Sequence, residues 1–183
     1  MNTDKLIERK LSSEKVFDGA LLHIEHWQVE LPDGRTALRE IARHIGAVAV
    51  IPVDKDGNVT MVYQYRPALG RVTIEIPAGK LDSADEDPLE AAQRELREET
   101  GLTASKWTRL GAIVPSPGYL TERIHLYLAE DMTQGDTDPD DDEFLNVERI
   151  PLSDLIERVM RGEIEDAKTQ SGILMAARVR ASR

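Results

Sequence analysis

The alternation of apolar and polar residues over the first part of the chain predicts β-strands. Apolar residues alternate roughly from Ala20 to Val29, and the pattern continues from Thr36 to Ile45. Between these stretches, Pro32-Asp33-Gly34 is a typical turn sequence. We therefore predict a small antiparallel sheet over about residues 5–45, and we assign residues 1–45 to an N-terminal β-sheet segment.

A second domain is predicted over residues 46–183. The nearly continuous apolar run Gly46–Val53 is typical of a strand buried on both faces. Further strands are predicted at Val59–Tyr65, Thr73–Ile76, Thr108–Val114, Arg123–Ala129 and Leu145–Ile150. Helices are predicted at Pro88–Thr100, Ser153–Met160 and Ala167–Val179. Because strands and helices are mixed along the chain, the fold class is α/β or α+β.

The helix at Pro88–Thr100 has the clearest boundaries. Asp87 is a good N-cap, Pro88 fits the first helical position, and Glu90 completes a capping-box pattern. Gly101 provides the C-terminal stop. The apolar stripe of the helix predicts that it packs against a sheet.

Three carboxylates share one face of this helix. Glu95, Glu98 and Glu99 are spaced i, i+3 and i+4, so they repel one another. Two of them also lie in the last turn, where the helix dipole disfavours anions. A solvated acidic face, partly neutralised by Arg94 and Arg97, is one interpretation. A divalent cation is the other, because magnesium binds a few carboxylates together with water and phosphate oxygens.

The segment that contains these acids resembles a known motif. Residues 79–102 read GKLDSADEDPLEAAQRELREETGL, which is similar to the Nudix box, G-x5-E-x7-R-E-U-x-E-E-x-G-U. The part from Arg94 to Leu102 matches at every fixed position. Six residues rather than five separate Gly79 from Glu86, and this insertion puts the role of Glu86 in question.

The resemblance extends to the ADP-ribose pyrophosphatase branch of the Nudix superfamily. The segments that carry it are Arg39-Glu40-Ile41, Gln64-Tyr65-Arg66, Glu75 to Leu81, Ser116-Pro117-Gly118 with Glu122-Arg123, and Asp166-Ala167-Lys168-Thr169. It implies a Nudix-type α/β/α sandwich for residues 46–183. It also implies hydrolysis of the diphosphate bond of a nucleoside diphosphate sugar, with ADP-ribose giving AMP and ribose 5-phosphate.

The resemblance further implies a set of site residues. The metal, magnesium or manganese, would be bound by the Ala78 carbonyl, Glu95, Glu98, Glu99 and Glu143. Substrate would be bound by Arg39, Arg66, Ser116 and Glu122. The catalytic acids would be Glu143, Asp141 and Glu98. Because the helix carboxylates are committed to metal, we expect the base on the late acidic loop, with Glu143 slightly favoured over Asp141. A solvated loop without a catalytic role is the alternative interpretation.

Composition and charge limit the compartments and binding partners that we expect for the protein. The chain has 183 residues, no cysteine and a net charge of −11. The charge disfavours nonspecific binding to nucleic acid, and the absence of a long apolar run excludes a membrane-spanning helix. The polar, acid-containing N-terminus does not resemble a secretory signal. We expect a cytoplasmic enzyme with a small-molecule nucleotide-sugar substrate, without nucleic-acid or membrane partners.

Two further expectations concern the assembly of the protein and its substrate. A lone small sheet is marginally stable, and the resemblance implies that residues 1–45 pack across two subunits of a homodimer. The substrate is also open, because GDP-mannose or another sugar nucleotide fits the same motifs. A non-catalytic ADP-ribose-binding regulator is the alternative from a different class; such proteins usually lose the box carboxylates that this chain retains.

Overall fold

The computed structural model describes residues 3–137 and 144–182 and divides them into two compact units. Of these residues, the first unit contains those up to Ile45 together with Val114–Glu122, and the second contains Gly46–Ile113 and those from Arg123 onward. The sequence prediction assigned residues 114–122 to the second domain. Two hydrogen bonds explain why residues 114–122 belong to the first unit. The Ala42 amide donates to the Tyr119 carbonyl, and the Thr121 amide donates to the Ala42 carbonyl.

The first unit is built on a three-stranded antiparallel sheet. It begins with a short 3₁₀ turn, Asp4–Leu6. The strands are β1 (Arg9–Asp18), β2 (His23–Glu30) and β3 (Thr36–Arg43), in the order β1-β2-β3. The predicted alternating stretch starts too early, because Leu21 and Leu22 lie exposed in the turn before β2. All residues of β1 are exposed within the single chain.

The second unit contains two sheets and three helices. The four-stranded sheet has the order β7-β4-β9-β8 and the three-stranded sheet the order β10-β5-β6. The strands are β4 (Ala47–Pro52), β5 (Asn58–Arg66), β6 (Arg71–Glu75), β7 (Ala78–Lys80), β8 (Leu102–Ile113), β9 (Ile124–Gln134) and β10 (Leu145–Pro151). The helices are α1 (Pro88–Thr100), α2 (Leu152–Met160) and α3 (Ala167–Ala181). The strand β8 begins six residues earlier than the predicted Thr108, because Leu102 already pairs with Gln134.

Strand β4 carries the core on both of its faces, as the continuous apolar run predicts. Ala49 and Ile51 pack in one apolar cluster with Ile173 of α3. Val48 and Val50 pack in the other with Leu96 of α1. Helices therefore cover both faces of the central sheet, and the predicted α/β/α sandwich is confirmed.

Helix α1 has the predicted bounds. The Asp87 side chain accepts hydrogen bonds from the Leu89 and Glu90 amides. Gly101 ends the helix with φ at 70°, a left-handed conformation that glycine adopts at little cost. A Cβ at Gly101 would also lie 2.5 Å from the Gly135 carbonyl oxygen. The C-terminal end of α1 is thus held directly against the chain that leaves β9.

Candidate active site

Helix α1 places its carboxylates against the backbone of β7. The Ala78 amide donates a hydrogen bond to Glu99 Oε2 at 3.3 Å. A Cβ built on Gly79 would lie 2.0 Å from the carboxyl carbon of Glu95, so any side chain at this position would displace that carboxylate. The glycine therefore leaves room for the Glu95 carboxylate, and Glu95 and Glu99 lie at neighbouring residues of one strand.

One guanidinium holds most of the acids together. Arg94 Nη1 lies 2.8 Å from Glu95 and 3.2 Å from Glu98. Arg94 also lies 3.3 Å from Glu86 and 3.4 Å from Asp82. We call Asp82, Glu86, Glu95, Glu98 and Glu99 the α1 acidic cluster. Burial opposes the charge of Arg94, but the charge of Glu95, its hydrogen bond and the charges of Asp82 and Glu86 outweigh burial and raise the arginine pKa.

The charge of the α1 acidic cluster is not balanced by this arginine. Arg97 supplies a second cation, 3.3 Å from Glu98. Four carboxylates thus lie at Arg94, and the fifth, Glu99, is only 5% exposed. Retaining charged acids of one sign in a partly buried place is costly unless a further cation binds there.

Of the predicted metal ligands, Glu143 lies outside the described residues, whereas Glu95 and Glu99 lie against β7 and Glu95 and Glu98 share Arg94. Within residues 3–137 and 144–182, no three acidic or histidine side chains converge closely enough to hold an ion. In the described contacts, Arg94 donates hydrogen bonds to Glu95 and Glu98, and the Ala78 amide donates one to Glu99. The donor set still fits a hard divalent cation, since it consists of carboxylate oxygens beside the backbone of Ala78.

The insertion in the box has a local consequence. Glu86 Oε2 accepts a hydrogen bond from the Asp82 amide at 2.6 Å, which closes the loop before α1. Its other oxygen faces Arg94. In the described structure Glu86 thus closes a loop and holds Arg94.

Arg66 lies beside a buried acid that the sequence prediction did not include. Its Nε and Nη2 donate to the two oxygens of Glu75 at 2.8 and 2.7 Å. The hydrogen bond to Glu75 raises the pKa of Arg66 against the effect of burial, and the charges of Glu75, Asp166 and Glu99 add to it. The influence of Glu99 shows that this guanidinium lies within electrostatic range of the α1 acidic cluster.

A cavity of about 420 Å³ opens at Arg66. Its lining combines three cations and three acids with a short apolar wall. The residues are Arg66, Ala68, Leu69, Arg71, Thr73, Glu75, Glu165, Asp166 and Lys168. This cavity can accommodate a polar group of sugar size beside the fixed guanidinium.

The other predicted substrate contacts belong to the first unit. Arg39 pairs with Glu8, with Nη2 2.5 Å from its carboxylate. A Glu122 carboxylate oxygen lies 3.8 Å from His44 Nε2. The Ser116 carbonyl accepts a hydrogen bond from the Leu120 amide in a turn. Asp141 and Glu143, the predicted catalytic acids of the late loop, lie outside the described residues.

Comparison with known proteins identifies the family. Residues 43–170 match the family described as NUDIX domain. Over 170 residues the chain is 42% identical to the ADP-ribose pyrophosphatase of Bacillus subtilis (strain 168), covering 92% of this chain and 91% of that protein. The chain belongs to the Nudix family. The resemblance that the box motif indicated is thereby confirmed.

This Nudix protein is also similar to two further proteins. It is 40% identical over 168 residues to the methanol dehydrogenase activator of Bacillus methanolicus, covering 90% of each chain. A crystal structure of an ADP compounds hydrolase superposes with a TM-score of 0.85 at 23% identity, covering 96% and 95% of the two chains. At 23% identity, this structural match shows that the two proteins share a fold, and it shows nothing further.

Family membership supports a divalent-metal-dependent hydrolase, since Nudix hydrolases generally use divalent cations. No helix in the described part of this Nudix chain is long and apolar enough to cross a membrane.

Motif reasoning did not give Glu75 and Lys168 roles, although both lie in segments that carried the resemblance. Two features of the sequence could have indicated them. Glu75 is an ionisable residue at the end of a strand that leads to Pro77-Ala78-Gly79. Lys168 is an ionisable residue that closely follows the N-cap of a helix.

Proposed function

We propose that this protein hydrolyses the diphosphate bond of a nucleoside diphosphate sugar, with ADP-ribose as the preferred substrate and AMP and ribose 5-phosphate as products. The observation that carries the proposal is the placement of Glu95 and Glu99 against β7, within electrostatic range of the fixed guanidinium of Arg66. The similarity to the Bacillus subtilis ADP-ribose pyrophosphatase supports the choice of substrate.

Magnesium is the proposed metal, with manganese as a substitute. Glu95, Glu98, Glu99 and the Ala78 carbonyl would hold it, joined by Glu143. When bound, it would neutralise charge on the diphosphate and lower the pKa of a water molecule. The surplus of negative charge in the α1 acidic cluster supports this assignment, because a cation would relieve it.

The chain's own residues have separable tasks. Arg66 binds the diphosphate, for which a planar guanidinium is well suited. Arg94 keeps Glu95 and Glu98 in place without contacting substrate. Glu143 accepts the proton of the attacking water, with Asp141 and then Glu98 as the next candidates. Arg39, Ser116 and Glu122 are proposed to contact the nucleotide or sugar.

We further propose a cytoplasmic homodimer assembled through the N-terminal sheet. Leu11, Val16 and Phe17 of β1 are each about half exposed in the single chain, and apolar side chains in one strand favour burial in an interface. The chain lacks cysteine, which suits a reducing compartment. Light scattering at micromolar concentration should give twice the monomer mass of 20.5 kDa; a fully active monomer would refute the dimer.

Turnover of a substrate panel tests the proposed function. ADP-ribose, GDP-mannose, UDP-glucose and dGTP are compared by kcat/KM with magnesium, and the phosphate products are identified. We expect ADP-ribose to be best and dGTP to be poor. A preference for GDP-mannose would select the alternative sugar nucleotide, and a preference for dGTP would refute the proposal.

A regulatory function is the second candidate, because one relative of similar identity is an activator of a dehydrogenase. The complete set of box carboxylates favours catalysis over binding alone. Absence of turnover on every panel member, together with measurable ADP-ribose binding by calorimetry, would favour the regulator instead.

A further inference from the structure

The Glu75 carboxylate is saturated with hydrogen bonds. Its side chain is 5% exposed. Oε1 accepts from Arg66 Nε at 2.8 Å and from the Thr73 hydroxyl at 2.6 Å. Oε2 accepts from Arg66 Nη2 at 2.7 Å and from the Lys168 ammonium. A carboxylate with four donors has one preferred orientation, and so does the guanidinium bound to it.

Lys168 connects this carboxylate to the start of α3. Its ammonium also lies 3.0 Å from Asp166 Oδ2, and its side chain is 12% exposed. Asp166 is the N-cap of α3 and accepts from the Thr169 amide. We call Arg66, Thr73, Glu75, Asp166 and Lys168 the Glu75 network. Its two acids and two cations balance, so it is neutral as a whole.

The same helix start also holds the strand that carries Ala78. The Ile76 amide donates to the Thr169 hydroxyl at 3.0 Å, and that hydroxyl donates to Asp166 at 2.5 Å. Thr169 is fully buried. One helix terminus thus supports both the partner of Arg66 and the backbone that leads to Ala78.

The pairing leaves one edge of the Arg66 guanidinium available. Nε and Nη2 are engaged by Glu75, and Nη1 has no hydrogen-bond partner within residues 3–137 and 144–182. The side chain is 40% exposed and lines the 420 Å³ cavity. An arginine held in this way loses little conformational freedom when a phosphate oxygen binds to its remaining donors.

We propose that Glu75 and Lys168 are positioning residues, which hold the Arg66 guanidinium in the orientation that binds the diphosphate of the substrate. Neither side chain needs to contact substrate for this role. The inference rests on the proposed function, because it requires Arg66 to bind the substrate.

The test compares kcat and KM of variants on the nucleotide sugar that the parent hydrolyses best. Glu75→Gln keeps the shape of the side chain but removes its charge, and should raise KM about tenfold, the effect of one weakened charged hydrogen bond. Lys168→Met should raise KM about threefold, because it removes one of the four donors to Glu75 and leaves the contacts with Arg66 in place. We expect kcat to change less than KM in both, since binding rather than chemistry is affected.

Arg66→Ala provides the decisive background. If Glu75 acts through Arg66, Glu75→Gln should change KM by less than about twofold once Arg66 is absent, because the two effects are then not additive. An equal rise of KM in both backgrounds would overturn the proposal. So would an unchanged KM in folded Glu75→Gln. If that variant does not fold, Lys168→Met decides by the same criterion.

Glu130 supplies a matched structural control. It is also a buried acid, and it binds Arg180 of α3 at 2.6 Å and Lys106 at 2.9 Å. Glu130→Gln should lower the melting temperature as Glu75→Gln does, with KM unchanged. An equal rise of KM in both variants would contradict positioning and indicate general destabilisation. Parent turnover is measured first and decides the proposed function separately.

Discussion

The α1 acidic cluster and the Glu75 network use the same residue types but differ in their charge balance. In the first, four carboxylates lie at Arg94, and one of them, Glu98, also lies at Arg97. In the second, Glu75 and Asp166 are matched by Arg66 and Lys168. The α1 acidic cluster thus contains more acids than cations, whereas the Glu75 network contains equal numbers of each. We therefore expect the α1 acidic cluster to bind a cation and the Glu75 network to orient a side chain.

Removing a carboxylate from the α1 acidic cluster should have the largest effect. Glu95→Gln and Glu99→Gln should each lower turnover by roughly a hundredfold or more, because loss of metal stabilisation corresponds to several kcal/mol. The fold should survive, since relief of like-charge repulsion does not harm a helix. Glu90→Gln, at an exposed position of the same helix, is the control and should remain active. Normal magnesium-dependent turnover in both site variants would refute the metal assignment.

The close contact between helix and strand should matter nearly as much. Gly79→Ala places a methyl group where the Glu95 carboxylate lies, so we expect turnover to fall about tenfold to a hundredfold through displacement of this ligand. Glu95→Asp shortens the side chain and relieves the clash. The double variant should therefore be no worse than Glu95→Asp alone. A full additional loss would show that Gly79 acts in another way.

Acid should weaken the Glu75 network. Burial by itself would raise the pKa of Glu75, but Arg66, Lys168 and Thr73 outweigh it and lower the pKa from 4.5 to about 2. The lower pKa in the folded state corresponds to roughly 3 kcal/mol of stability. That stability is complete above pH 4.5 and is lost as the pH falls toward 2. Urea unfolding between pH 7 and pH 3 should show that the free energy of unfolding falls with pH in the parent, and that it falls less steeply in Glu75→Gln. Equal slopes would contradict the account.

An exposed ion pair should have the smallest effect. Arg161 and Glu163 lie 2.6 Å apart, and the arginine lowers the pKa of Glu163. Both side chains are at least half exposed, so water screens their attraction. Glu163→Gln should leave the denaturation midpoint within measurement error. A clear loss would show that distance alone, rather than burial, decides the strength of such pairs in this protein.

The sequence predicted what depends on local pattern. Asp87, Pro88 and Gly101 gave the bounds of α1 because caps act over a few residues. The apolar run Gly46–Val53 predicted the central strand because burial on both faces removes alternation.

The pairing of distant charges could not be predicted in this way. Arg66 and Lys168 meet at Glu75 only because α3 begins beside β6. Arg94 binds both Glu95 and Glu98, which the i, i+3, i+4 spacing does not reveal. The early start of β8 depends on pairing with the end of β9, and tertiary pairing of this kind overrides local propensity.

The central claim is that the α1 acidic cluster binds a divalent cation that the enzyme needs to split the diphosphate of a nucleotide sugar. The most direct measurement is calorimetric titration of magnesium into the metal-free parent and into Glu95→Gln and Glu99→Gln, paired with assay of AMP release from ADP-ribose. We predict that the parent binds magnesium and releases AMP when it is added, and that both variants lose binding and turnover together. Unchanged binding and turnover in the two variants, or AMP release by the parent in excess chelator, would contradict the account.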